Sequence, residues 1–189
     1  MLDVSAMRQG PLDPLAGDVR PGAAVDLSLL PPRARFVLRC RQESLAAAGQ
    51  AFAVTLPNEA CRAAVSASRA ALRLGPDEWL LLAAPEDAAA IVQQFSVAFG
   101  GAPHSLVDVS HRSAAIAVKG AQAATLINHG CALDLAHAAF PLGMCTRTLF
   151  EKAEIVLWRT EEHTYHVEIE RSFAPYVWLM LNEAREDLA

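Results

Sequence analysis

One order of elements is written twice along this chain. From Arg33 to Phe99 the pattern reads strand, helix, strand, turn, strand, helix, and beyond Gly100 the same order follows an added leading strand. In Arg33–Arg41, Phe36, Leu38 and Cys40 fall on one side and Arg35, Val37, Arg39 and Arg41 on the other, the period of two of a half-buried strand. Glu43–Val54 is rich in Ala and reads as a short helix, and Asn58–Ala64 as a turn or half-helix. Ala70, Leu72 and Leu74 alternate with Arg69 and Arg73, Gly75-Pro76-Asp77 turns the chain, and Glu78–Ala83 returns as an apolar strand. Pro85 opens a helix whose stripe is Ile91, Val92, Phe95 and Phe99.

The second copy starts after Gly100-Gly101-Ala102-Pro103. Leu106–Val109 and Ser113–Val118 read as strands, and Gly120–His129 as a helix with Gly130 as its C-cap. Gly143–Phe150 begins another strand, Ala153–Trp158 and His163–Ile169 form a hairpin, and Ser172 caps a last helix over Phe173–Arg185 with Val177, Met180 and Leu181 inward. The expected fold class is α+β: two similar lobes of antiparallel sheet covered by helices. The expected division is an extended N-terminal arm at 1–32, a first lobe at 33–100 and a second at 101–189. The arm is punctuated by Pro11, Pro14, Pro21, Pro31 and Pro32 and should not fold alone, yet its leucines have something to bury.

Composition narrows the functional classes. A chain of 189 residues needs no metal or disulfide staple to fold. With 16 Lys+Arg against 21 Asp+Glu, it has no basic field to hold phosphates, which argues against nucleic acid. The stretch Met1–Leu30 lacks a cationic head followed by an apolar core, and no long uncharged apolar run occurs, so a cytoplasmic protein without a membrane span is expected. Cys40, Cys61, Cys131 and Cys145 form no CxxC pair and read as buried thiols.

No constellation of catalytic type emerges. His163 and His166 are three apart on a strand and point to opposite faces, and His129 and Cys131 flank a helix end without a third ligand. Ser110-His111 are neighbours, but a triad needs convergence in space. Glu161-Glu162 and Glu168-Glu170 read as solvated faces, Asp108 and Asp134 as turn formers, and Trp79, Trp158 and Trp178 as core with interface duty as the alternative. No Gly-rich phosphate loop, dinucleotide fingerprint or GxSxG elbow is present. No residue is therefore assigned to catalysis, cofactor binding or a metal.

Several runs together resemble the gamma subunit family of heterotetrameric sarcosine oxidase. They are Leu74-Gly-Pro-Asp-Glu-Trp-Leu-Leu-Leu82, Val107-Asp-Val-Ser-His-Arg112, Gly130-Cys-Ala-Leu-Asp-Leu135, Phe140-Pro-Leu-Gly-Met-Cys145, Thr148-Leu-Phe-Glu-Lys-Ala153, Ile155–Arg159 and Arg171-Ser-Phe-Ala-Pro-Tyr-Val-Trp178. The resemblance runs from Arg33 to the C-terminus. It implies a fold similar to the folate-binding domain of the glycine-cleavage aminomethyltransferase. It also implies membership of a complex that oxidatively demethylates sarcosine to glycine, reduces oxygen to peroxide and passes the carbon to tetrahydrofolate. In that family FAD, FMN, NAD, zinc and tetrahydrofolate belong to the other subunits, so none is expected on this chain. The implied partners are the alpha, beta and delta subunits, chiefly the large alpha subunit. The equivalent subunit of an N-methylglutamate dehydrogenase and a free-standing folate- or pterin-binding protein are the alternatives. A filled inter-lobe core favours the accessory subunit, and a deep inter-lobe cavity favours the pterin protein.

Overall fold

The computed structural model describes residues 10–18 and 24–188. Among these described residues, ten strands form two five-stranded antiparallel sheets. The first sheet contains β2 (Ala34–Cys40), β3 (Ala63–Ser66), β4 (Arg69–Arg73), β5 (Glu78–Ala83) and β6 (His104–Asp108), in the order β3-β4-β5-β2-β6. The second contains β1 (Asp26–Leu29), β7 (Ser113–Lys119), β8 (Cys145–Phe150), β9 (Ala153–Glu161) and β10 (Thr164–Glu170), in the order β1-β7-β10-β9-β8. Helices α1 (Leu45–Phe52) and α2 (Ala88–Phe99) cover the first sheet, and α3 (Ala123–Asn128) and α4 (Ala174–Glu186) the second. The architecture is α+β, as the doubled pattern requires.

Strand alternation sorts the side chains into three cores. On β5, Trp79, Leu81 and Ala83 meet Phe36 and Leu38 of β2 and Phe52, Ile91 and Phe95 of the helices. Leu80 and Leu82 point the other way, toward the second sheet, and so all six residues of β5 are buried. On β9, Ile155 and Leu157 join the core under α3 and α4 with Tyr165, Val167 and Trp178, while Trp158 faces the first sheet. The middle core, built from Ala70, Leu72, Leu80, Leu82, Cys145 and Trp158, joins the sheets face to face. Layers therefore run helix, sheet, sheet, helix.

The two sheets exchange leading strands. The segment before β2 is β1, yet it pairs with β7 of the other sheet, Leu27 opposite Val118. The segment before β7 is β6, yet it pairs with β2, Val107 opposite Val37. The sequence pattern found β6 but gave it to the second lobe, and it left β1 inside the arm. In the structure the glycine-rich turn at 100–103 follows α2, and β6 still belongs to the first sheet. Part of the arm is packed: Leu12, Val25 and Leu27 are buried in the second lobe's core. Local propensity also passes over β3: Asn58–Ala64 leads into a short strand rather than a half-helix. Met1–Gln9 and the stretch 19–23 of the arm lie outside the described residues.

Smaller differences have local causes. Val92 is 49% exposed, because α2 presents only Ile91, Phe95 and Phe99 to the sheet. The last helix begins at Ala174 with no side-chain cap from Ser172. Gly130 does not end α3 through a left-handed φ. Its role is spatial, since a Cβ there would lie 2.8 Å from the Phe150 ring.

Candidate functional site: the seam between the sheets

Period two places every second residue of β2 and β10 in the seam. Arg35 on β2 therefore faces Glu168 on β10, and Arg35 Nε donates to Glu168 Oε2 at 2.7 Å. His166, two residues before Glu168 on the same face, reaches Glu168 Oε1 at 2.8 Å through Nε2. A carboxylate can only accept, so that nitrogen carries the proton. All three residues are buried. Burial pushes the Glu168 carboxyl up, but the hydrogen bonds and charges of His166 and Arg35 together outweigh it and hold the group below the usual carboxylate range.

A second carboxylate does similar work toward the open side. Glu78, buried on β5, accepts from Arg39 of its own sheet and from Arg147 Nη2 on β8 at 2.6 Å. Burial raises its carboxyl and the two guanidiniums lower it further, so the net shift is downward. Arg112 and Glu170 pair at the mouth of the seam. The turn between β6 and β7 is fixed by Asp108, which accepts from Ser110 N at 2.8 Å and Ser110 Oγ at 2.5 Å; these bonds, the hydroxyl's first, lower its pKa. Ser110 Oγ also accepts from Arg35 N at 3.0 Å, so the hydroxyl ties the turn to β2 while its own proton is held by Asp108.

The other residues weighed for chemistry are dispersed. His163 lies in the turn before β10 rather than on the strand, with its side chain 57% exposed, whereas that of His166 on β10 is 7% exposed. His129 Nδ1 lies 3.0 Å from the Thr125 carbonyl at the end of α3. Asp134 caps its own turn through Ala136 N at 2.9 Å. Trp79 Nε1 donates to the Pro57 carbonyl at 3.0 Å, and all three tryptophans are buried rather than presented outward. Trp158 packs beside His166 in the seam, with its Nε1 unpaired among the described residues. Glu161 and Glu162 are exposed as expected, but Glu168 is not on a solvated face. Reading it required knowing that Arg35 would stand opposite, and the only signal was an Arg and a Glu each interrupting a buried strand.

The space left between the sheets is small. The cleft lined by Val37, Leu80, Val156, Arg147 and Glu168 measures about 60 Å³, far below the ~300–1,000 Å³ of a typical ligand pocket. A pterin does not fit there. A cavity of about 210 Å³ lies beneath the arm, between Leu12, Leu30, Arg35, His111 and Ser113. An open groove of about 670 Å³ runs between α1 and β3, lined by Leu45, Gly49, Gln50, Val54, Ala64 and Val65, with no titratable side chain along it. Among the described residues no group of three or more His, Cys, Asp or Glu is placed to hold a metal, and no helix is long and apolar enough to cross a membrane.

Comparison with known proteins meets this geometry. Residues 41–187 match the sarcosine oxidase, gamma subunit family. A curated sarcosine oxidase subunit gamma from Corynebacterium sp. (strain P-1) is 29% identical over 145 residues, 76% of this chain and 70% of that protein. One from Arthrobacter sp. is 31% identical over 123 residues, 65% of this chain and 60% of that protein. Among solved structures, a chain of the heterotetrameric sarcosine oxidase from Corynebacterium sp. U-96, in complex with pyrrole 2-carboxylate, superposes with a TM-score of 0.87 at 27% identity, covering 96% of both chains. The glycine cleavage system aminomethyltransferase T from Bartonella henselae shares the fold, with a TM-score of 0.62 at 14% identity over 88% of this chain and 50% of that one. With the family model matched over residues 41–187, and with the curated relatives and the superposed chain in agreement, this chain belongs to the sarcosine oxidase gamma subunit family.

Proposed function

We propose that this chain is the accessory gamma subunit of a heterotetrameric sarcosine oxidase, contributing architecture rather than redox chemistry. The observation that carries this reading is the near full-length superposition on a chain of such an assembly, 96% of both. The seam supports it, because apolar packing and the Arg35–Glu168–His166 cluster occupy the place where a pterin pocket would have to be. In this reading the complex demethylates sarcosine to glycine in the cytoplasm, makes peroxide and passes the carbon to tetrahydrofolate. FAD, FMN, NAD, zinc and folate sit on the alpha, beta and delta subunits, and the large alpha subunit is the main partner.

The test is co-expression with the alpha, beta and delta subunits of a sarcosine oxidase, with and without this chain. Co-purification of a four-subunit flavoprotein that oxidises sarcosine, and loss of its assembly when this chain is omitted, is the expected result. A complex that assembles and turns over equally well without it would overturn the proposal. Oxidation of N-methylglutamate in place of sarcosine would move the chain to the related dehydrogenase.

A further inference from the structure

We propose that Cys61 and Cys145 are an oxidisable pair that closes into a disulfide between the edges of the two sheets. Besides packing face to face, the sheets are joined along their edges, among the described residues, by one isolated bridge, Arg62 opposite Met144, with Ala63 N donating to the Gly143 carbonyl at 2.8 Å. Antiparallel register then sets Cys61 opposite Cys145, and Cys145 N donates to the Cys61 carbonyl at 2.9 Å. Only the bond from Cys145 N is made, because Cys61 lies outside strand geometry; with Cys61 returned to it, a fully hydrogen-bonded pair would hold the Cα atoms about 5.5 Å apart, inside the ~4.4–6.8 Å that a disulfide spans.

The two cysteines are unequal. Cys145 is fully buried among Leu72, Leu80 and Trp158, with its thiol toward the Arg73 carbonyl at 3.9 Å. Burial pushes that thiol up to about 12, so it is not the first to react. Cys61 is half-buried and its thiol faces Thr146 Oγ1 at 3.9 Å. Its φ of 58° is a conformation that a residue with a Cβ adopts at a cost. Return to strand geometry relieves that cost and swings the thiol from Thr146 toward Cys145; the preceding Asn58–Ala60 turn is exposed, and only the Arg73 bonds to Asn58 and the Glu59–Arg62 pair at the surface must adjust. Cys40 and Cys131 have no such relation, since each lies in a different helix-covered core.

The oxidant named is hydrogen peroxide. The Cys61 thiolate attacks one peroxide oxygen, the O–O bond breaks, and a sulfenic acid and hydroxide form. The Cys145 sulfur then attacks the Cys61 sulfur, the S–S bond forms, and the oxygen leaves as water with the proton from Cys145. Two thiols lose two electrons, and one peroxide becomes two waters once the hydroxide regains the proton that Cys61 gave up.

The experiment treats the folded full-length chain carrying Cys40→Ser and Cys131→Ser with peroxide, alkylates it, and maps it without reduction. Expected are loss of both thiols, a mass lower by two hydrogens, and the tryptic peptide 42–62 joined to 120–147. Dithiothreitol should reverse the link, and either Cys61→Ser or Cys145→Ser should abolish it. If the double-serine background does not fold, the same map on the unaltered chain, with the bond located by fragmentation, decides. Oxidation that stops at Cys61 with Cys145 still alkylatable after unfolding would overturn the proposal. So would a link that forms only in urea.

Discussion

Arg35 and Glu168 stand 133 residues apart in sequence and 2.7 Å apart in space, each side chain 3% exposed, with one sheet behind each of them. A buried ion pair of this kind is weak evidence of net stability, because desolvation offsets much of the attraction. Its effect is on register. Only one face-to-face alignment of β2 and β10 satisfies both groups and still leaves His166 on the second oxygen of Glu168.

Stability should fall in acid through this carboxyl. Its folded pKa lies below the unfolded value of about 4.3. The stabilisation is therefore fully present above the unfolded value and lost as pH drops through the folded one. Urea melts of the natural chain and Glu168→Gln between pH 7 and pH 3 should converge as pH falls. Parallel curves across that window would show that Glu168 is not the group responsible.

Removing one partner should cost more than removing both. Arg35→Met leaves Glu168 buried without its cation, and a loss of about 3–5 kcal/mol is expected. The double replacement Arg35→Met with Glu168→Met should recover much of it. A double variant as unstable as the sum of the singles would mean that the pair contributes no coupling.

The arm should behave as part of the second lobe. Leu27 is 1% exposed and packs with Ile116 and Val118, so Leu27→Ala should cost about 2–5 kcal/mol. At Gly120, φ is 140° and a Cβ would lie 2.4 Å from the Ala24 carbonyl. Gly120→Ala should therefore release β1, with faster amide exchange in 26–29 and along the outer edge of β7. Unchanged exchange there would rule out a structural role for that close approach.

The purified chain alone should be colourless and should not bind tetrahydrofolate. The seam has room for about 60 Å³ only, and no dinucleotide loop exists in the sequence. Visible absorbance of flavin in stoichiometric amount, or calorimetry showing a Kd near 1 μM (about −8 kcal/mol), would contradict this.

The parts of the fold legible in the sequence are those written locally. Phe36, Leu38 and Cys40 declare a strand by alternation, and Ile91, Phe95 and Phe99 declare a helix by spacing. Strand β3 was hidden because Ala63-Ala64-Val65-Ser66 shows no contrast between its faces, being half-buried to exposed throughout. Strand β1 was hidden by the prolines around it, and its pairing with β7 depends on residues nearly a hundred positions away. The seam cluster was illegible for the same reason. Glu168 looks like a surface acid until the second sheet supplies Arg35, so its burial is a property of the packed pair and not of either segment.

Crossed leading strands also bear on how the molecule comes apart. A cut in the turn after α2 would leave β1 on the first fragment without its neighbour β7, and β6 on the second without its neighbour β2. Neither fragment could complete a sheet, and each would carry the strand the other lacks. The halves of this chain, though alike in plan, are therefore bound to melt in one step, and separated pieces should find structure only by recombining.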